Sequence, residues 1–131
     1  AINGTIWPES LDFGIPARWL DATAANLLNG GWEKFVARMC PDEASRAAFD
    51  ARRPRRGLPE ALAELDALRR MPTPVSCIFR TALVGEADRI ILPANQHRGW
   101  ARHGVPVRAQ PGGHYPFHRW STWEEIPGCA D

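Results

Sequence analysis

An acid and an imidazole can work as a pair if the fold brings their loops together, and two residues of this chain stand where that would happen. Asp88 follows the apolar run Ala82, Leu83, Val84, which stops at Gly85 and reads as a buried strand. A second apolar patch, Ile90 to Leu92, then runs into Pro93, where a helix can begin. The carboxylate therefore falls just past a strand's C-terminal end, the edge at which open α/β sheets collect ligands and reactive groups. His114 lies 26 residues further on, behind Pro111-Gly112-Gly113. The two glycines suit a histidine that has to reach inward, because a glycine backbone turns without steric penalty. In such a pair the acid holds the imidazole in one tautomer and stabilises the imidazolium, while the imidazole takes a proton from a nucleophilic hydroxyl.

An acid after one strand and a histidine after the next are the second and third members of a nucleophile, acid, base triad in the chain order of α/β-hydrolases. A first member is not found. None of Ser10, Ser45, Ser76 and Ser121 stands in a Gly-x-Ser-x-Gly elbow between a strand and a helix. Cys40 ends an amphipathic segment, Cys77 falls in a sequence that reads as a buried strand, and Cys129 lies in the tail, so all three read as inert thiols. His114 and His118 are spaced for a shared metal on a helix, but Pro116 lies between them and no third ligand is near; neither metal nor cofactor is expected. His97, His103 and His118 read as structural or exposed. Asn95 and Gln96 read as a cap and a polar contact that hold the acid's loop.

Composition narrows the setting. A chain of 131 residues is long enough for one compact core, and 44% hydrophobic residues, 24% charged residues and six Trp exclude general disorder. Sixteen basic residues against fifteen acidic ones argue against a nucleic-acid partner, although all the bases but Lys34 are Arg and several bunch between Arg46 and Arg70. Three scattered cysteines without a CxxC make a disulfide framework unexpected and point to a reducing cytoplasm. No apolar run approaches the roughly 20 residues of a membrane helix, so no membrane association is expected.

The elements that must position Asp88 and His114 can be read from periodicity. Residues 1–10 read as a strand end followed by loop, with Trp7-Pro8 inside it. Leu20, Ala24, Leu27 and Leu28 predict a helix over 16–28, broken by Asn29-Gly30-Gly31. Trp32, Phe35, Val36 and Met39 predict a second helix that ends by Pro41. Asp42 and Glu43 open a third, with Ala44, Ala47, Ala48, Phe49 and Ala51 as its apolar stripe. After the basic linker 52–57, Pro59 starts a fourth helix with Leu58, Leu62, Leu65 and Leu68 along one side and Asp66 and Arg70 paired at i, i+4. Residues 11–72 thus form a four-helix insert. Beyond it, 75–84 reads as a strand, 94–102 as a helix anchored by Trp100, and 105–109 as a short strand that either lies at a sheet edge or pairs only after Pro106. Phe117, Trp120 and Trp123 predict a final helix over 116–125. Trp19, Trp32, Trp100, Trp120 and Trp123 all read as core.

Five short motifs in order carry a resemblance. They are INGT from Ile2, GIP from Gly14, the segment with Lys34, Phe35, Arg38, Met39 and Cys40, the segment with Gly85, Asp88, Arg89, Ile90, Pro93, Asn95 and Gln96, and HYPF from His114. Together they resemble the BioG-type family of pimeloyl-[acyl-carrier protein] methyl ester esterases of biotin synthesis, over essentially the whole chain. The resemblance implies the C-terminal part of an α/β-hydrolase fold, a single partial domain with a parallel sheet and a four-helix lid over an acyl tunnel, in which residues 73–131 carry the triad acid Asp88 and the triad base His114. It implies acyl transfer to a serine, release of methanol and hydrolysis, with the serine and the oxyanion hole upstream of this chain. The chain reads as a fragment, expected to be inactive and aggregation-prone alone.

The implied partner is an acyl-carrier protein bearing a pimeloyl methyl ester. Carrier proteins are acidic, so Arg38, Arg46, Arg52, Arg53, Arg55, Arg56, Arg69 and Arg70 are candidates to steer one to the tunnel mouth, in a salt-dependent way. A solvated basic face is the plain alternative for them. At the level of the whole chain, the alternative is a non-catalytic fragment that binds a carrier or another protein.

Overall fold

The computed structural model describes residues 1–72 and 76–128. Four helices come first, with ends set by local chemistry. α1 (Ala17–Leu28) follows Pro16 and stops at Asn29, where Gly30 adopts φ 73° and the Gly31 N–H turns back to the Asn26 carbonyl at 2.7 Å. α2 (Trp32–Met39) ends at Cys40, ahead of Pro41, which cannot continue a helix. Asp42 caps α3 (Glu43–Ala51), its carboxylate accepting the Ser45 N–H at 2.9 Å. α4 (Leu58–Arg70) has Pro59 in its first turn and half a capping box: Gly57 has no side chain, but its N–H donates to the Glu60 carboxylate at 3.0 Å. Asp66 and Arg70 do pair, at 2.5 Å.

The sheet follows as one βαβ unit. β1 (Ala82–Gly85) leads through α5 (Pro93–Arg102) to β2 (Val107–Gln110), and the strands pair in parallel with Ala82 opposite Val107 and Gly85 opposite Gln110. Pro106 explains where β2 starts: its carbonyl still accepts the Ala82 N–H at 3.0 Å, but it has no N–H to return, so strand pairing begins at Val107. On the other side of β1, Ile2 bridges Leu83 in parallel, through Leu83 N–H to Ala1 O at 2.8 Å and Asn3 N–H to Leu83 O at 2.9 Å. β1 is thus the middle of three hydrogen-bonded segments, and all four of its residues are buried.

Two apolar clusters support this arrangement. Ile6, Ala82, Val84, Trp100 and Val105 pack together under the sheet, with the Trp100 indole N–H donating to the Gly4 carbonyl at 3.1 Å. Val36, Cys40 and Phe49 form a second cluster between α2 and α3, covered by Tyr115. The architecture is α/β, with five α-helices and a small parallel sheet among the described residues.

Several expectations need correction. The strand expected over 75–84 is four residues long: Val75 lies outside the described residues and 76–81 is irregular, with Ile78 85% exposed, because Pro106 blocks the ladder on that side. Cys77 is therefore half-buried in coil and not in a strand. The alanine stripe of α3 does not face the core; Ser45 and Phe49 do, since one aromatic ring buries more apolar surface than several methyl groups. The final helix reduces to a 3₁₀ turn, Phe117–Arg119. Trp120 adopts an extended backbone, and the Glu125 carboxylate accepts the Ser121 N–H at 2.7 Å, a local bond that competes with a helix. Trp123, expected in the core, is 70% exposed.

Candidate active site

Asp88 and His114 meet. The parallel βαβ connection puts both at the C-terminal ends of adjacent strands, and His114 Nδ1 lies 2.9 Å from Asp88 Oδ2. The Asp88 side chain is fully buried and saturated. Its Oδ1 accepts the N–H groups of Ile90 at 2.8 Å and Ile91 at 3.1 Å, a turn that locks the carboxylate onto its own loop. Its Oδ2 accepts the Gln96 side-chain amide at 2.8 Å besides facing the imidazole. Four partners fill the lone pairs a carboxylate offers, so the acid can neither rotate nor drift.

Gln96 reaches Asp88 from the fourth position of α5, and the same amide nitrogen also donates to the Ile91 carbonyl at 2.8 Å. Its amide oxygen is buried without a hydrogen-bond partner among the described residues, so the side chain is oriented by the carboxylate it serves. Asn95 does not cap α5, whose N-cap is Leu92; it donates instead to the carbonyls of Leu11 at 3.0 Å and Gly14 at 2.8 Å and so holds the loop before α1 against α5.

The base loop is fixed by the continuation of the sheet. Glu86 N–H donates to Gln110 O at 2.9 Å and Ala87 N–H to Gly112 O at 3.0 Å, beyond the strands proper. Gly112 takes φ 107°, which a side chain would resist. Gly113 lies against α2's end: a Cβ there would come within 2.4 Å of Pro41 Cδ. Both glycines are thus needed, one for its dihedral and one for its lack of a side chain.

His114 opens onto a cavity of about 350 Å³ between the helices and the loop bearing Asp88. Its walls are mostly apolar: Leu20 and Leu27 from α1, Phe35 from α2, Leu65 and Leu68 from α4, and Ile91. Trp19 and Trp32 line it too, so these two serve a cavity more than a core. The volume is at the small end of ligand sites, which run from about 300 to 1,000 Å³.

No serine hydroxyl or thiol is hydrogen-bonded to His114 among the described residues. Ser45 is buried in α3 and donates to the Asp42 carbonyl at 3.0 Å. Burial pushes the Cys40 thiol up, away from the thiolate a nucleophile needs, and Cys129 lies outside the described residues.

The arginines divide by partner. Arg46 and Arg53 both bind Glu33 and Asp50, and they hold both carboxyls below the usual range. Arg56 pairs with Glu64, Arg69 with Asp21, and Arg70 with Asp66. Arg38 lines the cavity, donates to the Arg89 carbonyl at 2.8 Å and lies over the Trp19 ring, bridging α1, α2 and the acid's loop. Arg52 and Arg55 are exposed.

A protein-family description reading pimeloyl-ACP methyl esterase BioG matches residues 1–126. The chain belongs to this family. The crystal structure of BioG from Haemophilus influenzae superposes with a TM-score of 0.82 at 35% sequence identity, over 95% of this chain and 59% of that one. A curated protein of Haemophilus influenzae, described as uncharacterized, is 34% identical over 129 residues, which is 96% of this chain and 60% of the relative. A malonyl-[acyl-carrier protein] O-methyltransferase of Bacteroides fragilis is 33% identical over 118 residues, 88% of this chain and 24% of the relative. This BioG-family chain therefore spans only part of the length of the proteins it matches.

Proposed function

We propose that the chain supplies the acid and the base of a serine esterase that hydrolyses the methyl ester of a pimeloyl group on its acyl-carrier protein, in the service of biotin synthesis. The observation that carries this reading is the buried Asp88 carboxylate, anchored by Ile90, Ile91 and Gln96 and set 2.9 Å from Nδ1 of His114, which lines an apolar cavity. In this reading the chain is the C-terminal part of an α/β-hydrolase, and the nucleophilic serine and oxyanion hole come from residues outside these 131. Nδ1 donates to Asp88, so Nε2 takes the serine proton as the ester is attacked and returns it to the leaving methoxide. Water then enters by the same route and frees the carboxylate.

The four helices act as the lid, and the cavity beneath them holds the acyl chain. The arginine-bearing face receives the acidic carrier, with Arg52 and Arg55 leading. Arg53, Arg56, Arg69 and Arg70 would exchange their acid partners within this chain for those of the carrier. A non-catalytic binding module has no use for an acid anchored so completely against an imidazole, and the catalytic reading is favoured for that reason.

The test is hydrolysis of a pimeloyl-carrier methyl ester, and of a small methyl ester, by the protein expressed from its full reading frame. Asp88→Asn and His114→Ala are each expected to lower kcat by about 10⁴-fold while the protein stays folded. Activity within tenfold of wild type in either variant would overturn the assignment.

A further inference from the structure

We infer that Asn3 is a positioning residue for the Asp88–His114 pair, and that it acts by clamping the two peptide groups on either side of His114 to the end of β1. The inference rests on the catalytic reading of that pair, which assigns no role to Asn3.

Asn3 is buried, 4% exposed, and its φ of 43° makes it the non-glycine residue with left-handed backbone among the described residues. A residue other than glycine holds that conformation at a cost, and such strain persists where surrounding bonds impose it. Here those bonds are visible. Asn3 Oδ1 accepts the Gly85 N–H at 2.6 Å, at the end of the strand that leads to Asp88. Asn3 Nδ2 donates to the Gly113 carbonyl at 2.9 Å and the His114 carbonyl at 3.1 Å. Those carbonyls belong to the peptide groups immediately before and after the His114 Cα, so one amide bonds to both planes that aim the imidazole, the second of which is also held by the Tyr115 N–H donating to Met39 O at 3.2 Å.

The acid is tied to the same clamp by a short path. Gly85 O accepts the Asp88 N–H at 3.1 Å, closing the turn that carries the carboxylate. Gly85 itself has no room for a side chain: a Cβ would lie 2.7 Å from Gly112 O, 2.8 Å from Gly113 O and 3.2 Å from Asn3 Oδ1. Acid loop, base loop and Asn3 therefore meet at one point without slack. The ladder bonds from Glu86 and Ala87 reach Gln110 and Gly112 but stop short of His114. Asn3 alone among the described side chains bonds to the His114 carbonyl. A plain strand-ending asparagine would need only one of these contacts. Asn3 makes all three while spanning elements more than 80 residues apart in sequence.

Asn3→Gly tests this in the full-length protein. Glycine accepts the left-handed backbone freely, so the variant gains back part of what the lost bonds cost and stays folded. Two measurements are made. In the first, kcat on the carrier methyl ester should fall between about 10- and 100-fold with KM changed less than about threefold, the pattern of a misplaced reacting group. On a His114→Ala background the same substitution should cost less than about twofold, because its effect runs through His114. In the second, the far-downfield proton resonance of the His114–Asp88 hydrogen bond should broaden or vanish at a pH and temperature where wild type shows it. A kcat within twofold of wild type, an equal loss on both backgrounds, or an unchanged resonance would overturn the inference. Asn3→Asp is the companion variant, since it keeps the acceptor for Gly85 and turns a carboxylate on two carbonyls; it should lose the resonance too. The spectroscopic arm needs no turnover. If Asp88→Asn and His114→Ala retained activity, the catalytic reading would fall, and the resonance would still decide whether Asn3 sets the geometry of the pair.

Discussion

At the scale of single residues, the site is a matter of saturated acceptors. Asp88 has no lone pair to spare, and the third of its anchors, Gln96, is the one whose removal leaves the loop's own turn intact. Gln96→Glu would set a second carboxylate against a buried one, and like charges at that distance cannot both ionise. We expect it to lower kcat more than tenfold and to move the pH profile of kcat, whereas Gln96→Leu should lower kcat with the profile unmoved; steady-state rates against pH separate the two. The meeting of Asp88 with His114 was legible in the sequence because each stands where a strand pattern gives way to turn residues. Asn3 was not, although the INGT motif drew notice, because nothing local in a short strand end announces a contact made more than 80 residues away.

At the scale of elements, the helices were legible and the strands less so. Helix ends are written locally: a glycine pair after Leu28, Pro41 after Cys40, Asp42 ahead of Ser45. Strand length depends on a partner, and Pro106 shortens β1 from the opposite side of the ladder. The last tryptophans misled because aromatic spacing says nothing about whether a core is available. α3 offers a direct test. The Ser45 backbone N–H, bonded to Asp42, holds the Asp42 carboxyl below its ordinary value of 3.8. A carboxylate whose folded value is depressed contributes stability above its unfolded value and loses it as pH falls through the folded one. Asp42→Ala should therefore cost about 1 kcal/mol at pH 7 and progressively less as pH falls below about 4. Chemical denaturation of both proteins across that range measures the difference, and a cost that stays constant with pH would remove the cap as its source.

At the scale of the molecule, the cavity and the pair are built by different parts of the chain. The helices supply most of the walls, and the loops of the βαβ unit supply Asp88 and His114. No sequence periodicity could announce the cavity, since Leu65 and Leu68 face it with the same spacing that would serve a solid core. The surface proposed to receive the carrier should have a charge signature. Reversing Arg52 and Arg55 to Glu should lower kcat/KM for the carrier-bound ester about tenfold at low ionic strength, with the gap narrowing as salt shortens the roughly 10 Å screening length at 0.1 M. The same double variant should hydrolyse a small methyl ester at the wild-type rate. Equal losses on both substrates would place the defect in the folding of the helical segment.

The hydrogen bonds between Ala1–Asn3 and Leu83 also bear on how this family can change over time. The chain leaves the sheet at Asn3 and comes back beside it at Ala82, so the two ends of the long excursion between them touch, while Asn95, Arg38 and Trp100 tie its body to the rest of the fold. A segment inserted at a single seam can lengthen, shorten or be exchanged without altering strand register, because closing a longer excursion costs only about 0.6 kcal/mol per doubling. Selection can thus remodel what the pocket admits so long as the contacts of Pro41 with Gly113 and of Arg38 with the acid's loop are kept. The asparagine at the seam would be among the residues such remodelling has to spare.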